Sequence, residues 1–164
     1  MQTTDLMPKA ERLIAVLRAR GWKLATAESC TGGLIAATFT EVAGASDVFE
    51  RGFVTYSNAA KLGDLGVDFE TLYRHGAVSA EVAEAMARGA LRASAADIAL
   101  SVTGIAGPGG GSALKPVGLV YIGLAARGLP AVAHEFRFGD LDRATIRANT
   151  VAEALTILEH AIRA

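Results

Sequence analysis

The chain has a single cysteine, Cys30, so no internal disulfide framework and no cysteine-based zinc site is open to it. Three histidines, His75, His134 and His160, lie far apart and none stands in an HExxH-like spacing, so nothing argues for a metal or another cofactor. No charge of either sign is in excess. Sixteen Lys+Arg face 17 Asp+Glu, and the formal charge is −1. That balance lacks the basic footprint that nucleic acid or an anionic membrane surface would require. Long hydrophobic runs are missing too. The most apolar window, 117–126, is about half the length of a spanning helix. The first residues, Met-Gln-Thr-Thr-Asp-Leu-Met-Pro, show no basic segment running into an apolar one. A cytoplasmic protein is the expectation.

What is present is an ordinary globular mix: 164 residues, 51% of them hydrophobic. That length buries enough surface for one core, so one domain over 1–164 is expected. Helix and strand signals alternate. Leu13, Val16 and Leu17 mark an amphipathic helix within 11–20 that stops at Gly21. Strands are expected over 22–27, 52–56, 97–103, 117–126 and 131–138, the last two joined as a hairpin through Gly128-Leu129-Pro130. Helices are expected over 34–40, 58–62, 79–95 and 143–163, with Ser57 and Ser79 as N-caps. Helices interleaved with strands imply a sheet covered on both faces, closed by an antiparallel pair. The class is α/β with a mixed sheet.

In such folds ligands bind at the carboxyl ends of strands. Three segments leave strands there with unusual chemistry: 28–33, 56–61 and 103–115. In Glu28-Ser29-Cys30-Thr31-Gly32-Gly33, the serine sits at a strand-to-helix turn. It could attack a carbonyl while neighbouring amides hold the oxyanion, or Ser29 or Thr31 could simply cap the helix, the commoner role. The G-x-S-x-G elbow is absent, because Glu28 and Cys30 flank the serine. Cys30 offers a thiol, though a lone cysteine is more often buried and inert. Lys61, one turn into its helix, could act as base if desolvation lowers its pKa, and Tyr56 could carry a hydrogen bond between the two. Equally, Lys61 could be a solvated helix residue and Tyr56 a half-buried strand aromatic.

The segment 104–116 holds five glycines and two prolines. It lacks the Gly-Lys-Ser/Thr of a Walker A loop, so ATP hydrolysis is not expected, but its amides could approach an anion. Ser112-Ala113-Leu114-Lys115 matches S-x-x-K formally; Pro116 and the glycines deny it the helix start that motif needs. Arg143 and Arg147 open the last helix. They could grip a phosphate, or pair with Asp142 and solvent.

Taken together, the segments 27–33, 52–58 with Lys61, Gly76-Ala77-Val78-Ser79, and Thr103-Gly104-Ile105-Ala106-Gly107-Pro108 with Lys115-Pro116-Val117-Gly118 occur in an order that resembles the CinA C-terminal domain family, the nicotinamide-nucleotide amidases. The resemblance runs from about residue 13 to residue 162. It implies a three-layer α/β/α sandwich and hydrolysis of nicotinamide mononucleotide to nicotinate mononucleotide and ammonia, as pyridine nucleotide salvage, by a metal-free serine mechanism. By this resemblance Ser29 is the nucleophile, Lys61 the general base and Tyr56 the group that orients and relays the proton. Substrate contacts fall to Cys30, Thr31, Gly32, Gly33, Asn58, Thr103, Gly104, Gly107 and Arg143.

Members of the family often read Gly-Asp-Arg-x-x-Ile-Arg before the last helix. Here Leu141 follows Gly139-Asp140, and the arginine comes two residues later, at Arg143. Many relatives are the C-terminal half of a longer protein, and this chain is expected to be the stand-alone form. A small-molecule partner is implied, and homo-oligomers are left open. The rival reading is a nucleotide-binding or competence-associated partner protein with little catalysis; Ser29, Tyr56 and Lys61 together argue against it.

Overall fold

The computed structural model describes residues 6–163; the first five residues of the N-terminal segment read above, 1–8, lie outside them. Five strands form one mixed sheet: β1 (Leu24–Glu28), β2 (Phe49–Val54), β3 (Ile98–Gly104), β4 (Leu119–Ala126) and β5 (Val132–Arg137). Their order is β2-β1-β3-β4-β5. The first three run parallel; β4 and β5 are antiparallel additions. All five residues of β1 are buried, as befits a central strand covered on both faces.

Helices α1 (Met7–Arg20), α2 (Leu34–Thr40) and α6 (Arg143–Arg163) cover one face. Leu13, Leu17, Ile35, Phe39, Leu155 and Leu158 pack there against Leu24, Leu100 and Ile122 of the sheet. On the other face, α5 (Ala80–Arg92) lies across the strands with α3 (Asn58–Leu65) and α4 (Phe69–His75) against it. Val82, Met86 and Ala90 meet Leu65, Val67, Ala25 and Ala99 in a second cluster. Fully buried side chains of this size contribute ~1.5–3 kcal/mol each, so both helical layers are held by apolar burial. The α/β/α sandwich with a mixed sheet is what the alternation of signals had implied.

Two differences from the sequence reading bear on the site. Strand β2 is shifted toward the N-terminus, to Phe49–Val54 rather than 52–56. Phe49 stacks on Phe39 with ring centroids 6.4 Å apart, and the ladder with β1 runs out at the Glu28–Val54 pair. Tyr56 therefore lies beyond the strand, in the turn that leads to α3. The second difference is α4, which the sequence reading did not contain. Phe69 and Tyr73 are exposed on it and only Leu72 is buried, so it carries no amphipathic stripe. Its start is fixed by Asp68, whose carboxylate accepts from the Thr71 N–H at 2.8 Å.

Parallel β1, β2 and β3 deliver their carboxyl ends to one edge of the sheet. Three turns meet there: 29–33 after β1, 55–57 after β2 and the glycine loop after β3.

Candidate active site

Lys61 is the most unusual side chain of this edge. It is only 2% exposed and sits in the first turns of α3. Ser57 caps that helix, its hydroxyl accepting from the Ala60 N–H at 3.1 Å, which fixes where Lys61 points. The Lys61 amine donates to the Thr55 carbonyl at 2.8 Å, and its Nζ lies 3.1 Å from Ser29 Oγ. No carboxylate lies within ion-pairing distance of it among the described residues. Desolvation by burial accordingly drives its pKa below the usual lysine range. An amine whose proton is loosened in this way, next to a hydroxyl, is an arrangement that can supply a base beside a nucleophile.

Ser29 does not cap α2. The N-cap position is Gly33, at φ 98°, with no side-chain cap. Glu28 does that work instead. Its carboxylate, 1% exposed, accepts from the main-chain N–H groups of Gly33 (3.1 Å), Ile35 (3.0 Å) and Ala36 (2.8 Å). The anion-binding potential of this helix start is thus already taken up by the chain itself, and Gly33, expected to contact substrate, gives its N–H to Glu28. Nothing in the sequence reading assigned Glu28 this part.

The turn closes tightly. Ser29 N–H donates to Val102 O at 3.0 Å, Gly32 N–H to Ser29 O at 2.9 Å and Leu34 N–H to Thr31 O at 3.2 Å. Across residues 29–37, only the N–H groups of Cys30 and Thr31 lack an acceptor among the described residues. Gly32, at φ 59°, makes the sharp reversal that brings this about. The Cys30 side chain points the other way, into the core beneath α1 and α6. Burial pushes its thiol up to about 11, so it is a neutral, packed group at ordinary pH. Thr31 Oγ1 and Thr55 Oγ1 are buried without a hydrogen-bond partner among the described residues.

Tyr56 and Arg143 meet each other. The Arg143 guanidinium donates from Nη2 to the Tyr56 hydroxyl at 2.6 Å and from Nη1 to the Gly107 carbonyl at 2.8 Å. The turn after β2, the glycine loop and the start of α6 are joined through this one exposed side chain. Tyr56 therefore does not stand between Ser29 and Lys61, which touch directly. Arg147, one turn further along α6, donates to the carbonyls of Cys30 (3.1 Å) and Thr31 (2.9 Å) rather than to Asp142, which caps α6 through Thr145.

The remaining expected residues scatter in role. Thr103 is buried and its hydroxyl donates to Ala77 O at 2.7 Å. At Gly104 a Cβ would stand 2.7 Å from the Val120 side chain, so that glycine serves strand packing. Gly107 belongs to the site through its carbonyl. Asn58 is exposed in the first turn of α3. Lys115 is tied to the chain: its ammonium donates to the carbonyls of His75 (2.5 Å) and Val78 (2.7 Å), pinning the glycine loop to the segment before α5. A cavity of about 680 Å³ opens on the outer side of that loop, lined by Pro108, Gly110, Ser112, Arg137 and Asp140 among others. Neither Ser29 nor Lys61 borders it, so side-chain chemistry and not the size of a hollow marks the site.

The model of the CinA C-terminal domain matches residues 7–162. The chain belongs to the CinA C-terminal domain family. The resemblance seen in the motifs is therefore borne out over nearly the whole chain. Among solved structures, the competence/damage inducible protein CihA of Agrobacterium tumefaciens superposes with a TM-score of 0.94 at 52% identity, covering 98% of this chain and 96% of that one. A CinA superfamily protein of Klebsiella pneumoniae gives 0.90 at 37% identity, covering 99% of each. The nicotinamide-nucleotide amidohydrolase PncC of Escherichia coli is 50% identical over 159 residues, 96% of this chain and 95% of that protein. A putative competence-damage inducible protein of Caldicellulosiruptor saccharolyticus is 53% identical over 152 residues, 93% of this chain. This chain spans only 36% of that longer relative.

Proposed function

We propose that this chain hydrolyses the carboxamide of nicotinamide mononucleotide, giving nicotinate mononucleotide and ammonia in the cytoplasm, with Ser29 as nucleophile and Lys61 as general base. The observation that carries the reading is the 3.1 Å contact between Ser29 Oγ and a Lys61 amine that is 2% exposed. The substrate comes from the family, in which a half-identical protein of nearly equal length is named for this amidohydrolase activity.

With Lys61 neutral, its lone pair accepts the Ser29 proton as Oγ attacks the carboxamide carbon. The free N–H groups of Cys30 and Thr31 face the oxyanion of the tetrahedral intermediate. Lys61, now an ammonium, returns the proton to the leaving nitrogen. The C–N bond breaks, ammonia departs and an ester remains on Ser29. Water then attacks the ester, giving its proton to Lys61, and Ser29 Oγ leaves and takes that proton back. Tyr56 and Arg143 close the side of the site next to the glycine loop, where Arg143 offers charge to the substrate phosphate. Binding of that phosphate positions the carboxamide at Ser29.

No step needs a metal ligand. Ammonia release from nicotinamide mononucleotide by the purified chain, with and without EDTA, tests the reading. Turnover unaffected by the chelator supports it; no ammonia release, or inhibition that added zinc or magnesium reverses, overturns it.

A further inference from the structure

Arg147 lies beside the site and takes no part in the bond-making steps. Its half-buried guanidinium, carried by α6, reaches across to donate Nε to Cys30 O at 3.1 Å and Nη2 to Thr31 O at 2.9 Å. It has no carboxylate within ion-pairing distance among the described residues. A cation directed wholly at two consecutive carbonyls acts on the peptide planes that contain them.

A trans peptide is planar, and its C=O and N–H point in opposite directions. Fixing a carbonyl therefore aims the amide on the other side of the same plane. The carbonyl of Cys30 shares a plane with the N–H of Thr31, one of the two free donors of the turn. The other free donor, Cys30 N–H, shares its plane with Ser29 O, which the Gly32 N–H holds at 2.9 Å. Each unengaged amide thus has its own carbonyl held from behind: one by the turn itself, one by Arg147. A guanidinium on the oxygen also withdraws electron density through the amide and strengthens its N–H as a donor.

Resting on the hydrolase reading above, we propose that Arg147 is a positioning residue for the oxyanion site, setting the Cys30–Thr31 peptide plane so that the Thr31 N–H faces the developing charge at the carbon attacked by Ser29. It touches no reacting atom. Its effect therefore belongs to the transition state and not to substrate binding. Removing a direct oxyanion donor costs about 100–1,000-fold in kcat. Losing the group that aims one donor should cost less, about 10–100-fold by the same measure.

The test compares the wild-type chain with Arg147→Lys, which keeps the charge and most of the aliphatic stem but has one ammonium in place of the rigid fork whose Nε and Nη2 each reach a carbonyl, and Arg147→Met. Two readouts are taken: kcat and KM for nicotinamide mononucleotide, and the rate and end point of Ser29 sulfonylation by phenylmethylsulfonyl fluoride, followed by peptide mass. In that reaction the Oγ–S bond forms, S–F breaks, fluoride leaves and Lys61 takes the serine proton, so it needs no particular amide substrate.

Expected is a fall in kcat at nearly constant KM in both variants. Sulfonylation should slow in parallel yet still go to completion. Labelling at the wild-type rate with a reduced end point would mean that Arg147 only keeps part of the molecules folded, and would overturn the proposal. A rise in KM with kcat intact would make it a phosphate ligand and overturn it too. Should Arg147→Met not fold, Arg147→Lys decides alone, and wild-type kcat and labelling in that variant contradict the assignment. If wild-type Ser29 labels but nicotinamide mononucleotide releases no ammonia, the substrate reading falls and the slower labelling of the variants still supports Arg147. Wild-type Ser29 that takes no label overturns both.

Discussion

Lys61 Nζ stands 3.1 Å from Ser29 Oγ, although the two residues follow different strands and are separated by 32 positions in the chain. The contact arises because β1 and β2 are parallel neighbours and end together at Glu28 and Val54, so the turn after one faces the helix after the other. Four further features hold the pair in place: Ser57 capping α3, Thr55 O on the lysine, Glu28 on the start of α2 and Arg147 on the turn. Burying an amine without a counter-ion costs stability, and the same desolvation lowers the Lys61 pKa.

The first prediction concerns pH. The proposed mechanism needs neutral Lys61, so the rate should rise with pH through its lowered pKa and level off below the ordinary lysine range. The sign for stability runs the same way. Between the folded pKa and the ordinary value of 10.5 the unfolded chain binds the extra proton, so unfolding free energy rises with pH across that window, and the penalty is greatest below it. Lys61→Met should be inactive and should lose this component of the pH dependence. Denaturant titrations from mildly acidic to alkaline pH check it; identical slopes in wild type and variant would count against a neutral buried lysine.

Cys30 behaves oppositely. Its thiol is held up to about 11, above its ordinary 9.0, so its contribution to stability is present below the ordinary value and lost as pH rises through the folded one. In the native protein it should react with iodoacetamide far more slowly than a free thiol at neutral pH. Cys30→Ala should keep most activity, since the proposed mechanism uses only its main-chain N–H. Abolished turnover in a folded Cys30→Ala variant would transfer the nucleophile's role to the thiol.

Glu28→Gln tests the start of α2. The carboxylate accepts three N–H bonds, whereas an amide has one acceptor oxygen and turns donors toward donors. Leaving buried donors unpaired costs about 1–3 kcal/mol each, so Tm should drop by several degrees and kcat should fall as the Ser29 turn loosens. Unchanged Tm would show that the three bonds carry no net stability.

Arg143→Ala should weaken turnover of nicotinamide mononucleotide strongly while barely altering hydrolysis of free nicotinamide, which has no phosphate and is expected to be a poor substrate. Kinetics on both substrates decide it. Equal losses on the two would mean that Arg143 supports the site through Tyr56 and Gly107 instead.

Much of this was legible in the sequence. The helix over 143–163 is legible to the residue, because Ala154, Leu155, Leu158 and Ile162 keep helical spacing in its second half, and its buried positions lie on one half of the helix. Both Ser57 and Ser79 cap the helices they were expected to cap. The short helix over Phe69–His75 was not visible, since its large apolar side chains face solvent and give no buried stripe.

Within the site, Ser29, Lys61, Tyr56 and Arg143 were named from motif and family resemblance, and the structure brings them to one edge. How they pair was not readable. Glu28, an acid ending an apolar strand, looks like a surface residue until α2 is seen to begin without a side-chain cap. Arg147 looks like an ion-pair partner for Asp142 one turn earlier, until Thr145 takes that carboxylate and α6 points the guanidinium at the turn after β1. Such pairings depend on distances between elements far apart in the chain, which local pattern does not carry.

The most direct test of the central claim is rapid acid quenching of the wild-type chain with nicotinamide mononucleotide, followed by peptide mass mapping. The mechanism predicts a transient ester of nicotinate mononucleotide on Ser29, formed with release of ammonia, and neither ester nor ammonia with Ser29→Ala. Full turnover by Ser29→Ala, or an adduct on any other residue, would contradict it.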